Sequence, residues 1–284
     1  MTVIDAHHHL WDLGIRDQEW ISGPELAPLR RSFMPADLES EMREAGVAAT
    51  VLVQTVTVPE ETPEFLSLAA GSDVIGAVVG WTDLTSPGVA GELARLRSLP
   101  GGGFLRGIRH QVQGEPDPDW LTRPDVLRGL RAVAEAGLVY DLVVLPHQLP
   151  AAARAAAAVP GLTFVLDHLG KPPIASGQRE PWSRHVGELA ALPNTVCKLS
   201  GMVTEADWPS WTVDGLRPYA DTVIDAFGPQ RLMFGSDWPV CTLAAGYGEV
   251  MAATRELTAA LTAAEQDQVW AGTARRVYRM DDVD

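Results

Sequence analysis

Apolar positions along the chain fall into short β-branched runs separated by longer stretches with a helical period. Val3 and Ile4 open the first run, and Pro35 to Gly46 then reads as a helix, with proline near its start and glycine at its end. The pattern predicts a strand over Val47–Gln54, a helix over Thr62–Ala70 and a third strand over Val74–Trp81. Further pairs follow: helix Val89–Leu99 with strand Phe104–His110, then helix Asp125–Ala136 with strand Leu138–Leu145. Helix Leu149–Val159 precedes strand Leu162–His168, and helix Pro181–Leu192 precedes strand Thr195–Ser200. A helix near Gly215–Phe227 leads to strand Arg231–Asp237, and helices near Tyr247–Leu261 and Ala264–Val277 finish the chain. Eight apolar strands alternating with helices predict a parallel sheet, and 284 residues suit one closed (β/α)8 barrel domain over 1–284. The competing open, doubly wound sheet usually carries a glycine-rich turn after its first strand, which is missing here. One connection stands out. Gly14 to Phe33 is polar and turn-rich, holds Trp20 and Pro24, and has the length of a loop over a site.

Composition narrows the class of partner more than the fold. Hydrophobic residues make up 46% and charged residues 21%, enough apolar material for a sizeable core. A net charge of −15 argues against nucleic acid or an anionic membrane as partner, since both would be repelled. A small anionic substrate stays open, because it feels a few local arginines. Cys197 and Cys241 are the only cysteines and form no disulfide framework, so a reducing cytoplasm is expected. The first residues show no basic stretch followed by an apolar one, so no signal peptide is expected. No run approaches the ~18 apolar residues of a membrane span. The oligomeric state stays open, a homo-oligomer included. Lys171 and Lys198 are the only lysines, which makes the place of each informative.

In a barrel the chemistry lies at the carboxyl ends of the strands. Alternation along strand one puts Asp5, His7 and His9 on one face and Ala6 and His8 on the other, with His8 toward the helices. Two imidazoles aimed the same way can grip one metal ion or one substrate oxygen. Strand four carries Arg106 and ends in Arg109 and His110, which alternation cannot both point inward. Strand five runs into Pro146-His147-Gln148, and strand seven carries Lys198 and Ser200. Strand six ends in Asp167-His168 and strand eight in Ser236-Asp237-Trp238-Pro239; alternation turns His168 and Asp237 inward and Asp167 outward. Each residue alone has a structural reading. His147 reads as a loop histidine, Arg106 as half of an ion pair, Lys171 as the partner of a nearby carboxylate, and His185 as a residue of an amphipathic helix. Three histidines and an aspartate at the ends of strands one, six and eight point instead to hydrolytic chemistry.

The stretches Ile4-Asp5-Ala6-His7-His8-His9-Leu10-Trp11, Leu105-Arg106-Gly107-Ile108-Arg109-His110, Val165-Leu166-Asp167-His168-Leu169-Gly170-Lys171-Pro172, Cys197-Lys198-Leu199-Ser200-Gly201 and Phe234-Gly235-Ser236-Asp237-Trp238-Pro239 run through nearly the whole chain. In them the chain resembles the amidohydrolase superfamily, within it the amidohydrolase 2 branch of sugar-lactone and dicarboxylate-lactone hydrolases. The resemblance implies that His7, His9, His168 and Asp237 form the core of the site. Binuclear relatives bridge two metals with a carboxylated lysine on strand four. No lysine stands there, so at most one ion is expected, zinc first, held by His7, His9, His147 and Asp237. The branch includes lactonases that need no divalent metal, and a lactone carbonyl needs less polarisation than an amide. The expected reaction is hydrolysis of a small lactone, an aldonolactone or a muconolactone type, without an obligatory metal. Asp237 serves as base, and His7, His9 and His168, or a metal they hold, stabilise the oxyanion. Arg106, Arg109, His110, His147, Lys198 and Trp238 are the expected substrate contacts. A mononuclear metal-dependent amide hydrolase or decarboxylase would use the same set. A non-catalytic metabolite-binding barrel would be expected to lack Asp237 or the histidine pair.

Overall fold

The computed structural model describes residues 2–280. Eight parallel strands neighbour one another in chain order. They are β1 (Ile4–His8), β2 (Ala49–Val53), β3 (Ile75–Gly80), β4 (Leu105–His110), β5 (Val139–Leu142), β6 (Phe164–Leu166), β7 (Thr195–Leu199) and β8 (Leu232–Phe234). The helices are α1 (Pro35–Ala45), α2 (Glu61–Ala70), α3 (Val89–Ser98), α4 (Pro124–Glu135), α5 (Leu149–Ala158) and α6 (Trp182–Ala190). After β7 come α7 (Met202–Glu205) and α8 (Val213–Phe227), and after β8 come α9 (Tyr247–Leu257), α10 (Ala263–Asp267) and α11 (Thr273–Tyr278). The segment after β8 closes the ring on β1: Asp237 N donates to His7 O at 2.8 Å and His9 N to Trp238 O at 2.7 Å. The chain is therefore the expected (β/α)8 barrel.

Local chemistry sets the helices in place. Pro35 opens α1, the Asp37 carboxylate accepts the Met34 N–H at 2.8 Å, and Gly46 ends the helix at φ 70°. Leu38 and Met42, four residues apart, are its buried stripe. In the sheet, the branched residues Val51, Val79 and Val165, with the unbranched Met233, fill the lower barrel interior. Ala274 and Tyr278 of α11, with Met280, close its floor. The outward set, among them Leu52, Ile108, Phe164 and Phe234, packs against the helices. No helix among the described residues is long and apolar enough to cross a membrane.

Three departures from the sequence pattern matter for function. β6 ends at Leu166 and β8 at Phe234, earlier than expected, because His168 (φ 51°), Leu169 (φ 56°) and Asp237 (φ 59°) adopt left-handed backbone. The expected last helix is broken by a π turn over Gln268–Gly272 between α10 and α11. The short helix α7 has no counterpart in the pattern. The 14–33 segment behaves as expected: backbone bonds between Trp11 and Phe33 pinch its ends together, and Trp20 reaches the mouth of the barrel.

Candidate active site

The pairing of β1 with β2 slips between Asp5 and His8, and that bulge decides which side chains of strand one face inward. Ile4 and Ala6 face the barrel interior, and after the slip His7 does so as well. Asp5 therefore does not share the histidine face, contrary to simple alternation. It is fully buried between β1 and the chain after β8. Its Oδ1 accepts from Ser236 N (2.8 Å) and His7 N (3.1 Å), and its Oδ2 from Ser236 Oγ (2.6 Å) and Tyr247 OH (2.9 Å). One carboxylate thus stitches the two segments that carry His7, His9 and Asp237. His8 lies buried on the outer side, as expected; burial drives it down to about 3, so it is neutral.

His7, His9, His168 and Asp237 come together at the mouth. Asp237 Oδ1 lies 3.5 Å from His9 Nε2 and 3.8 Å from both His7 Nε2 and His168 Nε2. His168 Nδ1 is 2.9 Å from Ser200 Oγ, and Gly201 (φ 63°) packs so close that a Cβ there would sit 2.6 Å from the same nitrogen. Gly235 plays the matching part beneath His7, where a Cβ would lie 2.8 Å from the His7 Cβ. Phe164 and Leu166 face the helices, so alternation alone would have sent His168 outward; the left-handed turn brings it in. The two left-handed residues His168 and Asp237 each store backbone strain of about 1–3 kcal/mol at the site.

Under the mouth lies a fully buried charged layer. Arg109 Nη1 contacts Asp167 Oδ2 at 2.9 Å and His7 Nε2 at 3.3 Å, and its Nε donates to Gln54 Oε1 at 3.0 Å. Lys198 Nζ touches Asp141 Oδ2 (2.6 Å), Asp167 Oδ1 (3.0 Å) and His7 Nδ1 (3.1 Å). Tyr278 OH donates to Asp141 from the floor at 2.8 Å. Burial and the Lys198 ammonium hold His7 well below the usual imidazole range, and burial lowers His168 to about 4. Burial works against ionisation of Asp237, yet His168 and the His9 hydrogen bond carry its carboxyl below the ordinary value. Asp237 is thus a carboxylate at neutral pH, surrounded by neutral His7 and His168.

A cavity of about 190 Å³ opens above these groups. His9, His168, Asp237 and Arg109 form its base, Thr55, Gln111, Gln113 and Lys171 its polar wall, and Trp20, Val143 and Val240 its apolar wall. A second, more apolar cavity of about 240 Å³ between the 14–33 segment, α1 and α2 holds none of the histidines. Of the expected substrate contacts only Arg109 lines the site cavity. His147 is exposed on the turn after β5, where Val143 occupies the inward position. His110 points out, stacks on Trp120 at 4.3 Å between centroids and is held by Trp81 Nε1 and Glu115. Arg106 shares that outward face with Ile108. Trp238 packs edge-on against Phe33 in the core, and Lys198 sits below the mouth. Lys171 pairs with Glu205 at 2.7 Å. Sequence reasoning missed Asp167, Thr55, Gln111, Gln113, Val143 and Val240; for the glutamines the signal was their place just after strand four.

The donor set fits one divalent ion. His7, His168 and Asp237 each offer a ligand atom, all within 4.8 Å of one another, and two imidazoles with a carboxylate suit zinc. His168 thus stands where His147 was expected, and His9, also expected as a ligand, is not in this group. The amidohydrolase family model matches residues 4–280. The chain belongs to that amidohydrolase family. It is similar to an L-fucono-1,5-lactonase of Burkholderia multivorans, with 41% identity over 98% of this chain and 96% of the relative. Two crystal structures of an amidohydrolase from B. multivorans, one with bound HEPES and one with bound zinc, superpose with TM-scores of 0.92 and 0.91. Each is 40% identical over 98% of this chain and 99% of the other.

Proposed function

We propose that this amidohydrolase opens the lactone ring of a single six-carbon sugar acid, an aldono-1,5-lactone, by attack of water on the ester carbonyl. One observation carries the reading: the Asp237 carboxylate is aimed into a monosaccharide-sized cavity with three imidazole Nε2 atoms within 3.8 Å of one oxygen. Asp237 takes a proton from water as the hydroxyl adds to the carbonyl carbon. The developing oxyanion faces the fixed charge of Arg109 and an imidazole donor of the cluster. As the ring C–O bond breaks, the proton held by Asp237 passes to the leaving oxygen, which stays tethered in the product. A zinc ion held by His7, His168 and Asp237 would supply Lewis-acid polarisation of the same carbonyl, and an ester does not require it.

The cavity chemistry favours a neutral polyol over a dicarboxylate. Its two fixed cations are already paired, Arg109 with Asp167 and Lys171 with Glu205. Hydroxyls can pair with Thr55, Gln111 and Gln113, while Trp20, Val143 and Val240 offer an apolar wall for a ring face or a deoxy methyl. The L-fucono-1,5-lactonase relative acts on a lactone of that kind. The amide-hydrolase, decarboxylase and non-catalytic readings are not favoured. The test is a pH-indicator screen of aldono-1,5-lactones, 1,4-lactones and pyrone dicarboxylates, run with and without chelator. Turnover of aldonolactones in both conditions is the expected result; turnover of dicarboxylates alone, or of no lactone, would overturn the reading.

A further inference from the structure

We propose that Glu61 is a positioning residue that turns the Thr55 hydroxyl into a hydrogen-bond acceptor, so that the cavity selects a lactone with a hydroxyl at the ring position facing Thr55. The proposal rests on the lactone-opening reading and extends it to the recognition of one substrate hydroxyl. Thr55 lies in the polar wall of the site cavity, two residues past the end of β2, and Glu61 is the buried first residue of α2. Glu61 Oε2 alone reaches two backbone N–H groups, Thr55 N at 2.9 Å and Val56 N at 3.3 Å. Its Oε1 is hydrogen-bonded to Thr55 Oγ1 and lies 3.2 Å from Val56 N.

What Thr55 can offer a ligand follows from how the loop is tied down. Its N–H goes to Glu61 and its carbonyl accepts the Gln111 side-chain amide. Arg109 donates to both Gln54 O and Gln54 Oε1, and Gln54 Nε2 donates to Val56 O at 3.2 Å. The backbone of 54–56 is thus held on both sides, and the group left for recognition is the Thr55 hydroxyl. An ionised carboxylate only accepts, so the hydroxyl proton lies toward Glu61 Oε1 and Oγ1 keeps lone pairs alone for the substrate. Gln111 adds a further acceptor to the same wall: a carbonyl only accepts, so its Nε2 faces Thr55 O and its Oε1 is left over. A glutamine at 61 would serve the two backbone N–H groups through one oxygen, but its amide would have to donate to Thr55 Oγ1. The hydroxyl proton would then turn toward the ligand. What the carboxylate adds at this place is the direction of one hydrogen bond.

The test compares an aldono-1,5-lactone that the enzyme opens with analogues in which one ring hydroxyl at a time is replaced by fluorine, which cannot donate. Assays run at pH 8, above the value of about 7 to which burial raises Glu61. In the parent, fluorine at one position should raise KM about tenfold or more. In Glu61→Gln, whose Thr55 hydroxyl donates, and in Thr55→Val, which has no hydroxyl, that penalty should fall below about threefold. The electronic effect of fluorine on the ester is common to all three enzymes and cancels in the comparison. A merely structural role of Glu61 would slow every lactone alike and leave the ratio of hydroxyl to fluorine substrate unmoved. Equal discrimination in the parent and Glu61→Gln, or a parent that opens the lactone with no position-specific penalty, overturns this proposal and leaves the lactone reading standing; no turnover of any lactone overturns both. If Glu61→Gln does not fold, Thr55→Val decides: a surviving penalty overturns the proposal and its loss supports it.

Discussion

Asp5 offers the sharpest test of how the site is held. Its four donors divide into two backbone N–H groups on Oδ1, His7 N and Ser236 N, and two hydroxyls on Oδ2, Ser236 Oγ and Tyr247 OH. Asp5→Ala leaves both N–H groups buried without an acceptor. At about 1–3 kcal/mol for each orphaned group, the cost is about 2–6 kcal/mol before the hydroxyls are considered. Asp5→Asn keeps the carbonyl oxygen for the two N–H groups and places its amide where Oδ2 was. There the hydroxyls can rotate to accept, and Ser236 Oγ already lies 3.4 Å from His7 O as an alternative partner. The expected cost of Asn is about 1–2 kcal/mol. Urea unfolding followed by circular dichroism measures both, with activity recorded on the folded fraction. An Asp5→Ala protein within 1 kcal/mol of the parent, or an Asn variant as damaged as Ala, would refute this account of the stitch between β1 and the chain after β8.

Burial raises Glu61 from an ordinary 4.5 to about 7, so the folded state holds its proton more tightly than the unfolded chain. That contribution, roughly 3 kcal/mol, is complete below about pH 4.5 and is lost as pH rises through about 7. The stability of the parent relative to Glu61→Gln should therefore fall from pH 5 to pH 8 in urea titrations, and a constant difference would contradict the assignment. Gly235→Ala pushes a methyl against His7 and Ser200 and should lower kcat by about tenfold or more while the fold survives, as seen in steady-state kinetics beside a thermal melt. Trp20→Ala removes an apolar wall and should raise KM about fivefold with kcat little changed, the loss of about 1 kcal/mol of uniform binding.

The barrel was readable because buried parallel strands leave continuous apolar runs and the intervening helices show their own period. The core His7, His9, His168 and Asp237 was readable from the resemblance, but the route by which each arrives was not. His168 and Asp237 reach the mouth through left-handed turns, and although His and Asp adopt positive φ more readily than most residues, that bias is too weak to place a turn from sequence. Asp167 was expected outward, but Val165 faces the interior, the reverse of the expected phase of strand six, so alternation carries Asp167 inward to meet Arg109 and Lys198. The bulge in β1 is equally silent, and it separates Asp5 from the histidines. Alternation did leave one choice open on strand four, and the inward position went to Arg109, where the barrel interior supplies Asp167 and Gln54 as partners. His147 failed as a site residue because strand five ends before it, leaving it on an exposed turn.

The central claim is that an ionised Asp237 is the base of lactone opening. The direct measurement is kcat for an aldono-1,5-lactone in chelator-treated parent and Asp237→Asn enzymes, with circular dichroism confirming that both are folded. Asparagine keeps the shape and removes the proton acceptor, so kcat should fall by about 10²–10⁴-fold. The parent should show no acid limb from this group between pH 5 and 8, because its carboxyl lies below the ordinary value of 3.8. An Asp237→Asn enzyme that keeps most of its kcat would contradict the account and move the base to His168.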